Sequence, residues 1–415
     1  MSAEPADPWD ATDADGLFGP QTLAHGVFSI PGQLPRVGVR LHDAVVDVHA
    51  LAVDDGLPWA DTLAAPVLNP FMALGPEAWA EEREWLVGVL ADDAVDADRV
   101  RELSYPLGGP APVALHLPFQ VADYVDFYSS REHAANLGSM FRPGQPALTP
   151  NWTHLPIGYH GRSGTVVVSG TPVRRPVGQV RPPGAVAPLV RPSARLDIEA
   201  EVGVVVGVGS TLGDRVPVGA FADHVFGVCL VDDWSARDLQ AWEYVPLGPF
   251  LGKSFATSVS AWVTPLSSLT AARVPAPPRE HPVQGYLDDS AHPWGLDVHL
   301  EVRLNGAVVS RPPFAGMYWT AAQQLAHLTV NGASLRTGDL LASGTVSGAG
   351  ADERGSLIEL TWNGEQPLEL PDGTTRAFLE DGDEVVVSAW APGPDGSRVG
   401  FGEVRGVVEP ARPVP

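Results

Sequence analysis

The sequence predicts a mainly β (α+β) protein built from two units, and three observations carry that prediction. Glycine (44) and proline (41) together make up about a fifth of the 415 residues, which favours strands and turns over long helices. Short alternating apolar segments recur along the chain between turn residues, as in half-buried strands. Helical periodicity is confined to a few short stretches, so we expect the helices to lie at the periphery of β-sheets.

The first 118 residues are predicted to form a small unit of their own. Strand segments at 26–29, 37–41 and 44–48 are separated by turn residues, a pattern typical of a small β-barrel or sandwich. A helix is expected over 76–90, where aromatic and aliphatic residues recur every three or four positions. The proline-rich stretch 107–118 predicts the connection to a second unit, 119–415.

The second unit alternates short apolar runs with proline and glycine. Its main predicted strands are 165–169, 196–206, 225–231, 298–304 and 384–390, and its predicted helices are 132–141, 236–244 and 321–328. Capping boxes are expected at 129/132 and 235/238, before two of the helices. Stretches 173–195 and 273–282 hold too much proline for central strands, and we expect surface loops there.

Composition argues against several classes of partner. The formal net charge of −24 disfavours nucleic acid and anionic membranes, because phosphate binding needs basic surfaces. No apolar run approaches the roughly 18 residues of a bilayer span, and residues 1–16 lack an apolar leader segment. We therefore expect a soluble cytoplasmic protein. The single cysteine, Cys229, lies in an apolar run and is predicted to be a buried, reduced thiol.

The basic residues are unusual in kind, since Lys253 is the only lysine among 26 and the other 25 are arginine. Arginine cannot replace a compact ammonium in a tight site, so we favour a functional role for Lys253. Chance retention is the alternative.

Two acidic segments are candidates for a metal site. Asp197, Glu199 and Glu201 alternate with apolar residues, so a strand would place them on one face, about 7 Å apart. Each pair would repel by roughly 2 kcal/mol at an effective dielectric near 20. A solvated strand face is one interpretation, and a hard cation such as Ca²⁺ or Mg²⁺ is the other. Asp232 and Asp233 follow a buried run, and alternation lets only one of them face a shared ion.

Two helices carry further candidates. Arg237, Gln240 and Tyr244 fall on one helical face, which suits either an oxyanion or plain solvent. His133 shares its helix side with apolar residues, so a core histidine is the default from this pattern alone. Arg142 at the end of that helix complements the helix dipole.

Taken together, these segments resemble the fumarylacetoacetate hydrolase family over essentially the whole chain. The resemblance is carried by DYVDFYSSREHAANLGSMFRP (123–143), NWTHLPIGYHGRSGTVVVSGTPV (151–173), RLDIEAEVGVVVG (195–207), FGVCLVDDWSARDLQAWEYVPLGPFLGKSFATSVSAWV (226–263), LRTGDLLASGTVSG (335–348) and GSLIELTW (355–362). The segment HGVFSIPGQLPRVGVRL (25–41) resembles the family's small N-terminal domain.

The resemblance implies a fold and an activity. The fold is a small SH3-like β-barrel domain over 1–118, then a large mixed β-roll/sandwich hydrolase domain over 119–415 with peripheral helices. The activity is metal-dependent hydrolysis of a C–C bond of 4-fumarylacetoacetate to fumarate and acetoacetate, the last step of tyrosine and phenylalanine catabolism. A homodimer is implied as well.

The resemblance also implies roles for individual residues, each carried over by position. A Ca²⁺ would be held by Asp126, Glu199, Glu201 and Asp233, which leaves Asp197 as a structural residue. A second cation, Mg²⁺, is associated with Asp233, Lys253 and Thr257. The base would be His133 paired with Glu359, and the oxyanion site would be Arg237, Gln240 and Lys253. Substrate contacts match Tyr128, Arg142, Tyr159, Gln240, Tyr244 and Thr345.

Two other functions fit some of these features. An acylpyruvate hydrolase, or a decarboxylase/isomerase of 2-oxo-dienedioates, would share the paired-glutamate metal site. A catalytically inactive metal-binding β protein is the alternative from a different class. The N-terminal unit and the matches at Tyr128, Arg142, Tyr159 and Tyr244 favour fumarylacetoacetate as substrate.

Overall fold

The computed structural model describes residues 14–91, 97–108 and 113–413. Its N-terminal strands are β1 (Ala24–Ser29), β2 (Arg36–Leu41), β3 (Ala44–Val46), β4 (Ser104–Pro106) and β5 (Ala114–His116). The helices of this region are α1 (Ala14–Leu17), α2 (Val48–Asp54), α3 (Asn69–Met72), α4 (Pro76–Val89) and α5 (Ala97–Glu102).

The remaining described elements are again mostly strands. They are β6 (Tyr124–Phe127), β7 (Gly158–His160), β8 (Val166–Val168), β9 (Val173–Arg174), β10 (Val177–Val180), β11 (Leu189–Pro192), β12 (Leu196–Asp197), β13 (Ala200–Val206), β14 (Val225–Asp232), β15 (Ser235–Ala236), β16 (Thr257–Val259), β17 (Trp262–Pro265), β18 (Arg273–Val274), β19 (Gly295–Leu296), β20 (His299–Leu304), β21 (Ala307–Ser310), β22 (Leu340–Ala342), β23 (Leu368–Glu369), β24 (Thr375–Arg376), β25 (Glu384–Pro392) and β26 (Arg398–Glu409). The helices are α6 (Arg131–Phe141), α7 (Phe221–His224), α8 (Arg237–Glu243), α9 (Ala321–Thr329) and α10 (Leu357–Leu360).

One 13-stranded sheet runs through both predicted units, in the order β4-β3-β2-β1-β17-β14-β13-β22-β6-β7, with β5, β8 and β16 off this path. The units join where β1 pairs antiparallel with β17, with His25 opposite Val263. A second, five-stranded sheet (β21-β20-β25-β26-β9) shares a buried core with the first, in which Val228, Val387 and Phe401 are fully covered. The mainly β class with a small N-terminal region is therefore confirmed. No closed barrel forms among the N-terminal strands described, so the SH3-like detail and the boundary at 118/119 stay predictions.

The predicted helices are found within one or two residues of their expected ends, but both predicted capping boxes are wrong. Helix α6 is capped by Ser130, whose side chain accepts from the His133 amide at 3.2 Å. Helix α8 follows Ala236, which offers no side-chain cap. Asp238 instead accepts from the Ser193 hydroxyl at 2.6 Å, because a neighbouring loop competes for its carboxylate.

Two strand predictions need correction. The predicted strand 196–206 breaks in two, because the amides of Ile198 and Glu199 bond to the Asp197 and Asp232 carboxylates instead of to a neighbouring strand. The stretch 173–195 contains an antiparallel hairpin, β10–β11, and not only loop. Its prolines are tolerated because this two-stranded sheet has only edge strands. Cys229 is buried as predicted, and burial raises the pKa of its thiol to about 12.

None of the helices in the described ranges combines the length and the apolar character that a membrane crossing requires.

Strand β14 packs closely between β13 and β17, so we expect a larger residue at its glycine to lower stability. A Cβ at Gly227 would lie 2.5 Å from the Thr264 carbonyl oxygen. We expect Gly227→Ala to lower the free energy of unfolding by about 1–3 kcal/mol, because backbone must shift to admit the methyl group. Gly88→Ala, in α4, is the control and should be neutral or stabilising, because no atom of the described residues lies within 4 Å of the added methyl group. Denaturant titration of both variants checks the difference, and equal stabilities would contradict the packing argument.

Candidate metal and catalytic site

Four carboxylates meet where adjacent strands of the large sheet end. Asp126 lies on β6, Glu201 on β13, Asp233 just after β14, and Glu199 just before β13. One potential ligand oxygen from each lies within 4.8 Å of the others, and all four side chains are buried. Strands β6, β22, β13 and β14 are consecutive in the sheet, so the arrangement follows from the backbone ladder.

The electrostatics of this cluster suit a hard divalent ion. Burial, and then the neighbouring carboxylates, raise the pKa of Asp126 and Glu201 well above the usual carboxyl value. Asp126 Oδ1 and Glu201 Oε1 are buried with no hydrogen-bond partner in the described part of the chain. An ion held by carboxylate oxygens, as Ca²⁺ and Mg²⁺ prefer, would both neutralise the repulsion and fill these lone pairs.

Lys253 sits inside the same cluster, with 6% of its surface exposed. Its Nζ lies 2.5 Å from Glu199 Oε2 and 2.6 Å from Asp233 Oδ2. Burial lowers the pKa of this ammonium, but Asp233 and Glu199 outweigh it and the pKa is raised. The same contact, with Arg237, holds the pKa of Glu199 below its usual value although burial opposes this. Thr257 donates to Asp233 Oδ1 at 2.7 Å.

His133 and Glu359 form a buried pair beside the cluster. His133 Nδ1 lies 2.6 Å from Glu359 Oε2, and both side chains are at most 2% exposed. Burial raises the pKa of Glu359, but His133, Asn136 and Ser356 outweigh it and the pKa is lowered. An ionised Glu359 accepts a hydrogen bond from Nδ1–H of His133. The other ring nitrogen, Nε2, then carries no proton and can act as a base. His133 Nε2 points toward the carboxylates, 3.9 Å from Glu199 Oε1.

Arg237 and Gln240, on successive turns of α8, supply hydrogen-bond donors to the same space. Arg237 Nη1 lies 2.7 Å from Glu199 Oε1 and donates to Gln240 Oε1 at 3.2 Å. Its Nη2 is buried and is without a partner among the residues described. An unpaired buried donor of this kind marks a place for an anionic oxygen.

Three of the residues expected to contact substrate lie around the pair and the cluster. The Tyr128 ring meets the His133 ring edge-on, with 5.4 Å between centroids. Tyr159 lies opposite Asp126 in the β6–β7 pairing. The hydroxyls of Tyr159 and Thr345 are buried and find no hydrogen-bond partner within the described ranges. These open groups indicate a polar ligand next to the acidic cluster.

Besides Gln240, the remaining expected contacts are Arg142 and Tyr244, and neither side chain is buried. Arg142 caps α6 and donates from Nη2 to the Ala147 carbonyl at 2.7 Å. Its charge still acts on Tyr128, opposing the rise that burial gives the pKa of that hydroxyl. Tyr244, at the end of α8, is 50% exposed.

Sequence reasoning missed several residues that complete this site. Asn136 donates to Glu359 Oε1 at 2.9 Å, and its i+3 spacing from His133 was a usable signal. The hydroxyls of Ser347 and Ser356 donate to Glu359 Oε2 at 3.0 and 2.6 Å; Ser356 has the S-x-x-E spacing to Glu359, whereas Ser347 has no such local signal. Tyr124, two residues before Asp126 on β6, has a buried hydroxyl with no partner in the part of the chain described.

Comparison with known proteins identifies the family of the chain. Residues 123–409 match the family model described as fumarylacetoacetate (FAA) hydrolase C-terminal, and residues 21–118 match fumarylacetoacetase N-terminal. The chain belongs to the fumarylacetoacetate hydrolase family.

Relatives within the family extend over almost the full chain. The chain is 45% identical to fumarylacetoacetase of Homo sapiens, with 97% of this chain and 98% of the relative covered. It is 44% identical to fumarylacetoacetase of Arabidopsis thaliana, with 96% and 97% covered. Among solved structures, the fumarylacetoacetate hydrolase of Exiguobacterium antarcticum superposes with a TM-score of 0.54 at 17% identity, covering 94% of this chain and 99% of that one. At that identity the superposition supports the fold.

The raised carboxyl pKa values predict how pH acts on the protein without a cation. A carboxyl whose pKa is raised holds its proton more tightly in the folded chain, so stability falls as pH rises between the usual and the raised value. Asp126 and Glu201 are such groups. The lowered pKa values of Glu199 and Glu359 act below the usual carboxyl range, outside this window.

We therefore expect Tm in a chelator to fall as pH rises from about 5 to about 8, and added Ca²⁺ to reverse the fall. At a Ca²⁺ concentration of 100 Kd the stabilisation is about 2.7 kcal/mol. Thermal melts with EDTA or CaCl₂ at each pH measure the effect, and Glu201→Gln should reduce it. Identical melts at pH 8 under both conditions would exclude a cation site here.

Proposed function

We propose that this protein hydrolyses a C–C bond of 4-fumarylacetoacetate to give fumarate and acetoacetate. The observation that carries the proposal is the free Nε2 of His133, which lies 3.9 Å from the carboxylate cluster with its other nitrogen held by Glu359. Extensive identity to relatives named fumarylacetoacetase supports the choice of substrate.

The reaction needs a base that takes a proton from water. His133 Nε2 is available for this, because Glu359 engages Nδ1 at 2.6 Å. The ionised Glu359 stabilises the imidazolium that results, and the donors around it keep its oxygens in place. The hydroxide formed attacks the carbonyl carbon that becomes the carboxyl carbon of fumarate. The imidazolium later returns the proton to the carbon of the departing acetoacetate enolate.

The alkoxide formed by this attack needs donors aimed at it. Arg237 Nη2, the amide nitrogen of Gln240 and the Lys253 ammonium are assigned to it, and each such donor is typically worth about 3 kcal/mol. Gln240 accepts from Arg237 through Oε1, which leaves its NH₂ group free to donate. Tyr128, Arg142, Tyr159, Tyr244 and Thr345 are assigned to the two carboxylates and the remaining oxygens of the substrate.

Asp126, Glu199, Glu201 and Asp233 fit a Ca²⁺, because all offer carboxylate oxygens and two of those oxygens lack partners among the residues described. When bound, the ion would act as a Lewis acid toward the dione oxygens of the substrate. The predicted Mg²⁺ at Asp233, Lys253 and Thr257 fits less well. Lys253 brings a positive charge there and only Asp233 brings an anionic oxygen, so we assign Mg²⁺ no step.

The wider setting rests on the family resemblance. We infer a cytoplasmic homodimer that acts at the last step of tyrosine and phenylalanine catabolism. Light scattering of the purified protein tests the dimer.

The activity is tested by following the loss of fumarylacetoacetate absorbance beside the turnover of an acylpyruvate. We expect a higher kcat/KM for fumarylacetoacetate, and preference for the acylpyruvate would overturn the proposal.

His133→Ala should lower kcat by about 10²–10⁴ while Ca²⁺ affinity changes less than about threefold. His160→Ala is the matched control, because its 2.9 Å pairing with Asp123 is exposed and lies outside the assigned machinery. Turnover by His133→Ala at the wild-type rate would refute the base.

Lys253 predicts a second, independent result. Its ammonium lies at 2.5 and 2.6 Å from two carboxylates in a buried space, which a planar guanidinium cannot occupy in the same way. We expect Lys253→Arg to lower kcat nearly as much as Lys253→Ala, by about 10²–10³. Arg101→Lys, at an exposed ion pair, serves as control and should leave kcat unchanged. Wild-type activity in the Lys253→Arg enzyme would mean that the single lysine was retained by chance and not for function.

A further inference from the structure

Asp197 is a fully buried carboxylate beside the cluster, and the reaction proposed above gives it no role. It does not belong to the four residues that share the candidate ion. Its two oxygens nevertheless accept four hydrogen bonds, from one guanidinium and three backbone amides: Arg237 Nε at 2.7 Å, Leu357 N at 2.7 Å, Ile358 N at 3.2 Å and Ile198 N at 2.8 Å. A carboxylate this well satisfied fixes the groups that bond to it.

The contact with Arg237 sets the direction of the guanidinium. Nε is held by Asp197 at 2.7 Å, and Nη1 is held by Glu199 at 2.7 Å. The guanidinium is planar and rigid, so fixing two of its nitrogens also fixes the third. That third nitrogen, Nη2, is the buried donor assigned to the reacting oxyanion. Asp197 therefore acts on the oxyanion site through Arg237 and not by contact with the substrate.

The contacts with Leu357 and Ile358 set the position of the base. These residues open the four-residue helix α10, whose first amides have no partner within the helix. Ser356, the residue before the helix, makes no side-chain capping bond, and its hydroxyl donates to Glu359 Oε2 at 2.6 Å. Asp197 takes over as acceptor for the first two amides. Glu359, on the same short helix, in turn holds His133.

We propose that Asp197 is a positioning residue that ties the oxyanion-binding guanidinium of Arg237 to the helix carrying Glu359. This inference rests on the hydrolase function proposed above. One carboxylate bonds to two parts of the site, Arg237 and the helix that begins at Leu357, which lie 120 residues apart in the chain. The donor to the oxyanion and the partner of the base therefore keep a fixed separation.

Asp47 provides a matched control elsewhere in the molecule. It is buried, it accepts from Arg36 Nε at 2.6 Å, and it accepts from the Ala50 amide at 3.0 Å as the cap of α2. The chemistry is the same as at Asp197, but α2 lies in the N-terminal region and carries no residue assigned to the reaction. A purely structural role predicts similar effects for both aspartates.

The test measures kcat, KM and Tm for Asp197→Asn and Asp47→Asn with fumarylacetoacetate. We expect Asp197→Asn to lower kcat by about 10²-fold with KM changed less than about threefold, because misplaced groups raise the barrier more than they weaken binding. Asp47→Asn should lower Tm similarly and leave kcat within about threefold. Equal kcat for the two variants would overturn the inference.

A double-mutant cycle separates positioning from general damage. Since Asp197 bonds both to Arg237 and to α10, adding Asp197→Asn to Arg237→Gln should cost less than the 10²-fold it costs alone, the remaining loss coming from the contacts with α10. Multiplicative losses would overturn the inference. If Asp197→Asn does not fold, Arg237→Lys provides the readout, since one ammonium cannot hold both Asp197 and Glu199 and still offer a directed donor. Its kcat should match that of Arg237→Gln, and a wild-type kcat would overturn the inference.

Activity of the wild-type enzyme distinguishes failure of the proposed function from failure of the positioning role. A wild-type enzyme that does not hydrolyse fumarylacetoacetate refutes the function. A wild-type enzyme that does, with an unaffected Asp197→Asn variant, refutes only the positioning role.

Discussion

The repulsion among buried carboxylates is the constraint on which the rest of this site depends. Four buried acidic side chains have oxygens within 4.8 Å of one another. Such a cluster persists only with positive charge or protons supplied to it. Lys253 and Arg237 supply part of that charge, and a hard divalent ion fits what is left. The positive charges that stabilise the cluster are also the ones that a dianionic substrate requires. The stability of the folded protein and the binding of substrate therefore depend on the same groups.

The sheet keeps these opposing charges in register. Asp126 and Glu201 lie on β6 and β13, on either side of β22, and Asp233 directly follows β14, so the backbone hydrogen bonds of these consecutive strands fix their spacing. Helices α6, α8 and α10 then add the imidazole, the guanidinium and the carboxylate partner from outside the sheet. Asp197 bonds to two of these helices at once. The reacting groups are therefore held by rigid elements, as precise catalysis requires.

Much of the fold and the acidic centre could be predicted from the sequence, because their signals are local. Alternation in 196–202 marked Glu199 and Glu201, and the isolated lysine marked Lys253. Alternation could not predict the strand break after Asp197, since the competing acceptors include Asp232, which is distant in sequence. Glu359 has no local signal at all: it lies on a four-residue helix and meets His133 across 226 positions. The family resemblance identified it, and residue patterns alone did not. The capping boxes failed for a similar reason, because remote residues use the same side chains: Ser193 donates to Asp238, and Gln324 donates to Ser129.

The pairing of β1 with β17, and of β6 with β22, has a consequence for how the chain acquires its structure during synthesis. Strand β1 precedes its neighbour by more than 200 residues, and β6 is separated from residues 340–342 by a similar distance. Until those late segments leave the ribosome, the early strands expose unsatisfied edges, which are templates for aggregation. Contacts this remote also slow folding. The nascent chain therefore exposes these strand edges until late in translation, and a chain that ended before residue 340 would lack both β22, which joins β6 to β13, and Glu359.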